Sequence, residues 1–238
     1  MSFLKAEWRK LVLANYEVPS SLLEKHLPAG TELDLWNGKC YVSLVGFMFL
    51  NTKLLGVKVP GHVTFEEVNL RFYVKRHVNG AWRRGVVFIK EIVPKPALTL
   101  VANTIYSENY ETLPMKHLWE QNDVQRSVSY EWRKNGQWNW VSVTAQIEPS
   151  EIIPGSEAEF IMEHYWGYAR INPSTTNEYE VKHPTWLQYN ILDYDTSVNF
   201  KETYGSEFEF LNQTEPTSVM LAEGSEISVE HKKKVRII

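Results

Sequence analysis

The sequence predicts a single α+β domain over residues 1–238, mainly antiparallel strands curled into a closed or nearly closed β-barrel with peripheral helices. Three observations carry that prediction. Asn37-Gly38, Asn79-Gly80 and Asn135-Gly136 each separate strand-like runs, and Asn-Gly accepts the positive φ of a type I′ turn. From Glu67 onward the chain alternates strictly, with Val68, Leu70, Phe72 and Val74 on one face and Glu67, Asn69, Arg71, Tyr73 and Lys75 on the other. Nine Trp, twelve Tyr and ten Phe suit pleated surfaces and could also line a pocket. Successive hairpins build antiparallel sheets, and a sheet with strands buried on both faces must curl or close to remove its edges.

The elements follow in order. Residues 8–16 form a moderately apolar opening segment. Ser21 and Glu24 read as a capping box, with Leu22, Leu23 and Leu27 on one helical face before Pro28-Ala29-Gly30 stops it. Residues 33–36 and 39–47 flank the first Asn-Gly as a hairpin. Gly56, Pro60 and Gly61 mark a loop into the alternating strand, which returns after Asn79-Gly80 as residues 81–93. On that return, Phe88, Lys90 and Ile92 should share one face, and Val87, Ile89, Glu91 and Val93 the other. A helix is predicted over about residues 97–106, from Leu98, Val101, Ala102 and Ile105 at helical spacing. Residues 127–133 and 137–145 pair around the third Asn-Gly. Ser156 and Glu159 form a second capping box, opening a helix to about residue 164. Residues 165–171 and 178–182 read as strands, 197–211 as a segment with helical character, and 219–221 with 227–229 as a last hairpin around Glu223-Gly224-Ser225. Lys232, Lys233 and Lys234 read as a solvated tail.

Composition excludes several classes. A net charge of −4 offers no basis for binding nucleic acid or an anionic membrane. Cys40 is the only cysteine, so no internal disulfide can form; with charges where a secretory leader needs an apolar run, the expected compartment is the cytoplasm. No window approaches the ~18 apolar residues of a membrane span. Asn212-Gln213-Thr214 matches a glycosylation acceptor by chance.

Several segments together resemble the YqjF-like family of uncharacterised proteins. They are Leu27-Pro28-Ala29-Gly30 with Asp34, the strand Glu67 to Val74, Gly85-Val86-Val87-Phe88, Glu163-His164-Tyr165, and Val181-Lys182-His183-Pro184-Thr185-Trp186. The resemblance implies the fold of acetoacetate decarboxylase, a cone-shaped antiparallel barrel with a central cavity. That enzyme works through a Schiff-base lysine, activated by a neighbouring lysine and an apolar pocket. The motif belongs after the 97–106 helix, where this chain reads Tyr106-Ser107-Glu108-Asn109-Tyr110-Glu111-Thr112 and has no lysine. It departs there even from the Gly-Leu-Pro-Tyr-Tyr of many relatives, so the imine chemistry does not carry over.

Glu67, Asn69, Arg71, Tyr73 and Lys90 are the candidate ligand-binding residues. On an isolated strand the first four would form a solvated face worth roughly 0–1 kcal/mol per exposed pair. In a barrel one face of every strand points inward, and where that face is this row a buried Glu67–Arg71 pair would leave guanidinium N–H groups free to fork onto a carboxylate, the alternative being a row in solvent. Lys90 between Phe88 and Ile92 could be a desolvated amine, although a lysine reaching solvent is the plainer reading. His164 and His183 could meet Glu163 or Glu67 at a metal, but no metal-ligand spacing supports it, and no cofactor is expected. The function expected is small-molecule binding in the barrel, with a carboxylate among the ligands considered. The alternatives are a decarboxylase-like or acid–base enzyme and an interaction scaffold. The expected partner is a small organic ligand, with no nucleic acid and no membrane, and the sequence leaves a homo-oligomer open.

Overall fold

The computed structural model describes residues 2–237. The strands are β1 (Leu4–Val18), β2 (Glu32–Leu33), β3 (Cys40–Leu54), β4 (Phe65–Val78), β5 (Ala81–Val93), β6 (Tyr110–Thr112), β7 (Met115–Gln121), β8 (Gln125–Lys134), β9 (Gln137–Glu151), β10 (Trp166–Asn172), β11 (Thr175–Lys182), β12 (Leu187–Ser197), β13 (Ser218–Val229) and β14 (Lys233–Arg236). Four short helices intervene: α1 (Ser20–Glu24), α2 (Pro96–Val101), α3 (Glu157–Met162) and α4 (Phe200–Tyr204). A π-helical turn (Ala102–Tyr106) extends α2, and a 3₁₀ segment (Ser206–Gln213) follows α4.

All strands belong to one sheet, ordered β14-β11-β10-β5-β4-β3-β1-β13-β12-β9-β8-β7, with β2 attached to β4 and β6 to β5. Pairing is antiparallel except where β10 and β6 meet β5. Because β11 also pairs β13, the path through β10, β5, β4, β3, β1 and β13 returns to its start. The remaining strands, β12, β9, β8 and β7, continue from β13 and pack over the outer face of that ring.

This layering explains the alternating strand. Val68, Leu70, Phe72 and Val74 turn outward into a core with Val128, Tyr130, Trp132, Val141 and Val143 of β8–β9 and with Phe200, Tyr204 and Phe208. Each fully buried side chain of this kind stabilises the fold by roughly 1.5–3 kcal/mol. The opposite face of β4, with its polar row, therefore looks into the ring. A second layer of sheet, β8 and β9, covers most of this apolar row, and helices only part of it.

The turn chemistry holds at Asn79-Gly80 and Asn135-Gly136, which join β4 to β5 and β8 to β9 with positive φ at both residues. Asn37-Gly38 is also a tight turn, yet its arms meet only through the Trp36–Lys39 bridge. Both edges of β3 are taken by β1 and β4, so the preceding arm pairs with β4 instead, as β2. The hairpin expected around Gly224 is absent, since β13 runs unbroken from Ser218 to Val229. Gly224, at φ +80°, instead lies opposite Arg9, where β1 bulges between Arg9 and Val12, and a Cβ there would strike the Trp8 carbonyl.

Of the two capping boxes, Ser156 is realised: its Oγ accepts the Glu159 N–H at 3.2 Å. The box at Ser21 is not, because α1 starts one residue earlier behind Pro19 and has no side-chain cap. Strands β7 and β12 were not foreseen, and the lysine tail pairs with β11 as β14, leaving Lys233 and Lys234 exposed. Among the described residues no helix is long and apolar enough to cross a membrane.

Candidate functional site

Inside the ring lies a cavity of about 250 Å³. Trp8 and Leu11 of β1, Phe47 and Phe49 of β3, and Leu98 and Val101 of α2 give it an apolar wall. Glu67, Asn69 and Arg71 project into it from β4, as the alternation requires. Glu67 and Asn69 are only 2% and 1% exposed.

Across the cavity floor, β5 contributes a residue that strict alternation would have turned away. The β4–β5 register runs Leu70 opposite Lys90 and then Arg71 opposite Phe88, leaving Ile89 as the extra residue of a bulge. One inserted residue inverts every side chain beyond it. Val86 and Phe88 on one side of the bulge, and Glu91 on the other, therefore all line the cavity. Lys90 goes to the opposite face, where its Nζ lies 3.0 Å from Glu111 Oε2, a carboxylate also held by Lys134. Lys90 is not at the cavity.

The lysine-free segment after α2 supplies the rest. The π-helical turn ends at Ser107 in the left-handed conformation, and the chain swings Glu108 and Tyr110 into the cavity lining. Tyr110 sits beside Glu91 in the β5–β6 pairing, and its hydroxyl donates to Glu67 Oε2 at 3.1 Å. Asn69 Nδ2 donates to Glu67 Oε1 at 3.0 Å. On the far wall Tyr179 of β11 donates to Glu108 Oε1 at 2.7 Å. The Tyr179 ring packs against Gly167, where any Cβ would overlap it.

These acids are held away from their ordinary state. Burial raises Glu67 to about 7, against the hydrogen bonds from Asn69 and Tyr110; Glu108 adds to the rise and Arg71 only weakly opposes it. Burial likewise raises Glu108 to about 7, and pushes Glu91 well up with help from the charges of Glu108 and Glu67. Tyr110 and Tyr179, raised by burial and by the same carboxylates, remain hydroxyl donors. The result is a wall of three mutually repelling carboxyls that bind protons near neutral pH.

The expected Glu67–Arg71 pairing is not made. Arg71 is buried at the cavity, but its Nη2 donates to the Ile161 carbonyl at 3.3 Å and its guanidinium lies 5.7 Å from the Tyr73 ring centre. Two residues along a strand share a face while their side-chain tips remain far apart, and nearer partners win. Tyr73 stands behind the wall, its hydroxyl 2.6 Å from Ser43 Oγ and its ring against Phe160 and His164. A second buried polar group adjoins it. Arg84 Nε donates to Asp34 Oδ2 at 2.6 Å, and His164 Nε2 is 3.5 Å from the same oxygen. Burial lowers His164 to about 4, so its imidazole is neutral where it borders the cavity. His183 also lines the cavity, stacked between Tyr165 and Trp186.

Solved structures with this arrangement of strands include acetoacetate decarboxylase-like proteins. The enduracididine biosynthesis enzyme MppR superposes with a TM-score of 0.67 at 11% identity, over 99% of this chain and 90% of that one. Acetoacetate decarboxylase from Legionella pneumophila gives 0.64 at 11% identity, over 98% and 86%. An acetoacetate decarboxylase-like enzyme from Sphingomonas wittichii RW1 gives 0.67 at 10% identity, over 100% and 95%. At such identities the likeness is one of fold. The uncharacterized protein YqjF of Bacillus subtilis is 35% identical over 72 residues, a match spanning 30% of this chain and 30% of that protein. Residues 5–226 match the family model described as an uncharacterized conserved protein, DUF2071, and the chain belongs to that family.

Proposed function

We propose that the chain binds a small organic molecule inside the ring of strands, its apolar body against the aromatic wall and its polar end at Glu67, Glu91 and Glu108, without imine chemistry. The observation that carries this reading is the cavity of about 250 Å³ in which those three carboxyls meet Trp8, Phe47 and Phe49. Ligand sites are typically apolar concavities with a few convergent polar groups, and strongly perturbed acids cluster at them. A closed, cone-shaped barrel is part of the reading, supported by the pairing of β11 with both β10 and β13 and by the decarboxylase-like neighbours. An imine mechanism needs an amine at the reacting carbonyl. Among the described residues no lysine lines the cavity, and Glu108 and Tyr110 occupy the segment where the resemblance looks for one.

A second reading, an acid–base enzyme, is favoured by Glu67 and Glu108 both standing at about 7, where a carboxyl can give and take a proton. MppR, a biosynthesis enzyme, has been captured with a condensation product of pyruvate and imidazole 4-carboxaldehyde, a precedent for carbonyl-derived ligands in this fold.

Two measurements test the proposal. Incubation with acetoacetate and borohydride should leave the intact mass unchanged, whereas a stoichiometric adduct on one lysine would restore the imine mechanism. Thermal unfolding with 2-phenylethanol and similar amphiphiles should show stabilisation that disappears in Val101→Trp, which fills the cavity. Equal stabilisation of the variant would place binding elsewhere.

A further inference from the structure

The polar wall of the cavity is chemically one-sided. Three carboxyls line it, and among the described residues Arg71 is the only Lys or Arg side chain that does. That guanidinium faces a backbone carbonyl and the Tyr73 ring rather than the carboxyls. Two acceptors on the wall have no hydrogen-bond partner: Oδ1 of Asn69 and Oε2 of Glu91, on side chains that are 1% and 2% exposed. Both belong to cavity-lining residues. A buried polar oxygen without a partner is costly, and a ligand that brings a donor recovers part of that cost. The three carboxyls do not gather as metal ligands would, since among the described residues no such group of His, Cys, Asp or Glu is formed. The complement is therefore a donor-rich group of some size attached to an apolar body.

We infer that the cavity takes an organic amine, its ammonium set among Glu67, Glu91, Glu108 and Asn69 and its aryl or alkyl body against Trp8 and Phe49. The inference rests on the binding reading above and names the ligand's chemical class. An ammonium presents several N–H donors and a positive charge, so it can donate to the oxygens of this wall and favour the ionised form of its acids. A carboxylate would set a further negative charge beside acids that already ionise with difficulty. The aromatic rings favour a cation at their faces as well as an apolar body. Size agrees: a dry cavity of about 150 Å³ accommodates benzene, so one of about 250 Å³ has room for a ring and a short polar arm. The unpartnered Nε of Arg71 is the feature an anion would use, which makes an anionic probe the decisive comparison.

The test is calorimetric titration of the purified chain with three near-isosteric probes, 2-phenylethylamine, 2-phenylethanol and phenylacetate. The amine should bind at least tenfold more tightly than phenylacetate, and Glu91→Gln and Glu67→Gln should each weaken it by tenfold or more while leaving the alcohol within about threefold. These amide variants keep the shape of the wall, and their thermal unfolding confirms that they are folded. Phenylacetate binding more tightly than the amine, with the preference lost in Arg71→Met, would overturn the amine assignment and leave a carboxylate-binding cavity. Equal binding of all three would also overturn it while leaving the cavity reading intact. No binding of any probe, with none displacing a ligand carried through purification, would remove both.

Discussion

Two buried acid sites on the same sheet differ in one respect, and the difference separates scaffold from site. Glu178 of β11 is 3% exposed at its side chain and is gripped by Arg76 at 3.0 Å and Arg83 at 2.6 Å. Those arginines lie on the two arms of the β4–β5 hairpin, so the triad ties β11 to its neighbours and both carboxylate oxygens are used. Glu67, Glu91 and Glu108 are also removed from water, yet the hydrogen bonds to Glu67 and Glu108 come from neutral Asn and Tyr groups, and Arg71 donates to a backbone carbonyl instead. Burial of an acid alone does not mark a functional site, because structural ion pairs bury acids as well. A missing counter-charge beside an open volume supports the site proposed above, since the fold bears a cost there that packing does not explain.

The comparison breaks or sharpens at four places. The largest effect should come from Glu178→Ala, which leaves two arginines facing each other and should destabilise the fold by about 3 kcal/mol, as measured by denaturant unfolding. A loss below about 0.5 kcal/mol would mean the triad is not the structural partner described here. Glu67→Gln should do the opposite. In the fold Glu67 titrates at about 7 rather than near its ordinary 4.5, so between those values the native state holds more protons than the unfolded chain. Stability is then fully present below about 4.5 and is lost as pH rises through 7. Replacing Glu67 by Gln should remove a fall on the order of 1–3 kcal/mol between pH 4.5 and 8, leaving Glu91 and Glu108 to respond beside Arg71, Tyr110, Tyr179 and the neutral His164. Parallel stability–pH curves for wild type and variant would show that Glu67 is not held protonated. A smaller change is expected from Tyr179→Phe, which removes a donor to Glu108 at a cost near 1 kcal/mol and moves that carboxyl further upward, readable by NMR titration of the Glu108 side chain. Smallest of all, Lys90→Met should leave probe affinities within about twofold, because Lys90 pairs with Glu111 outside the cavity. A tenfold change would return it to the site.

How much of this could be read in advance depends on periodicity. The polar row of β4 was legible because alternation over Glu67 to Tyr73 is unbroken and the Asn79-Gly80 turn fixes the hairpin that follows it. The same rule failed one strand later. The bulge at Ile89 leaves no mark in the sequence, so strict alternation put Lys90 on the face of Phe88 and Glu91 on the other, whereas the register turns Glu91 to the side of Phe88 and Lys90 away from it. Tyr73 was misread for another reason: alternation tells which face a side chain takes but not how deep it ends, and Ser43 holds its hydroxyl behind the wall. Glu108 and Tyr110 did have a signal, an acid and a phenol in the segment where the family resemblance looks for lysine. Tyr179 had none, since its place follows from ring closure through β11 and from the bare backbone of Gly167 beneath it.

The π-helical turn and the left-handed Ser107 have a consequence for how this architecture changes over time. Glu108 is carried on a connection, outside every ladder of strand hydrogen bonds, while Glu67 and Glu91 are built into β4 and β5. A codon change at Glu108 alters the side chain that enters the cavity and leaves the pairing around the ring untouched. Divergence of chemistry within this fold can therefore proceed through a short connecting segment, with the strands inherited as a fixed chassis.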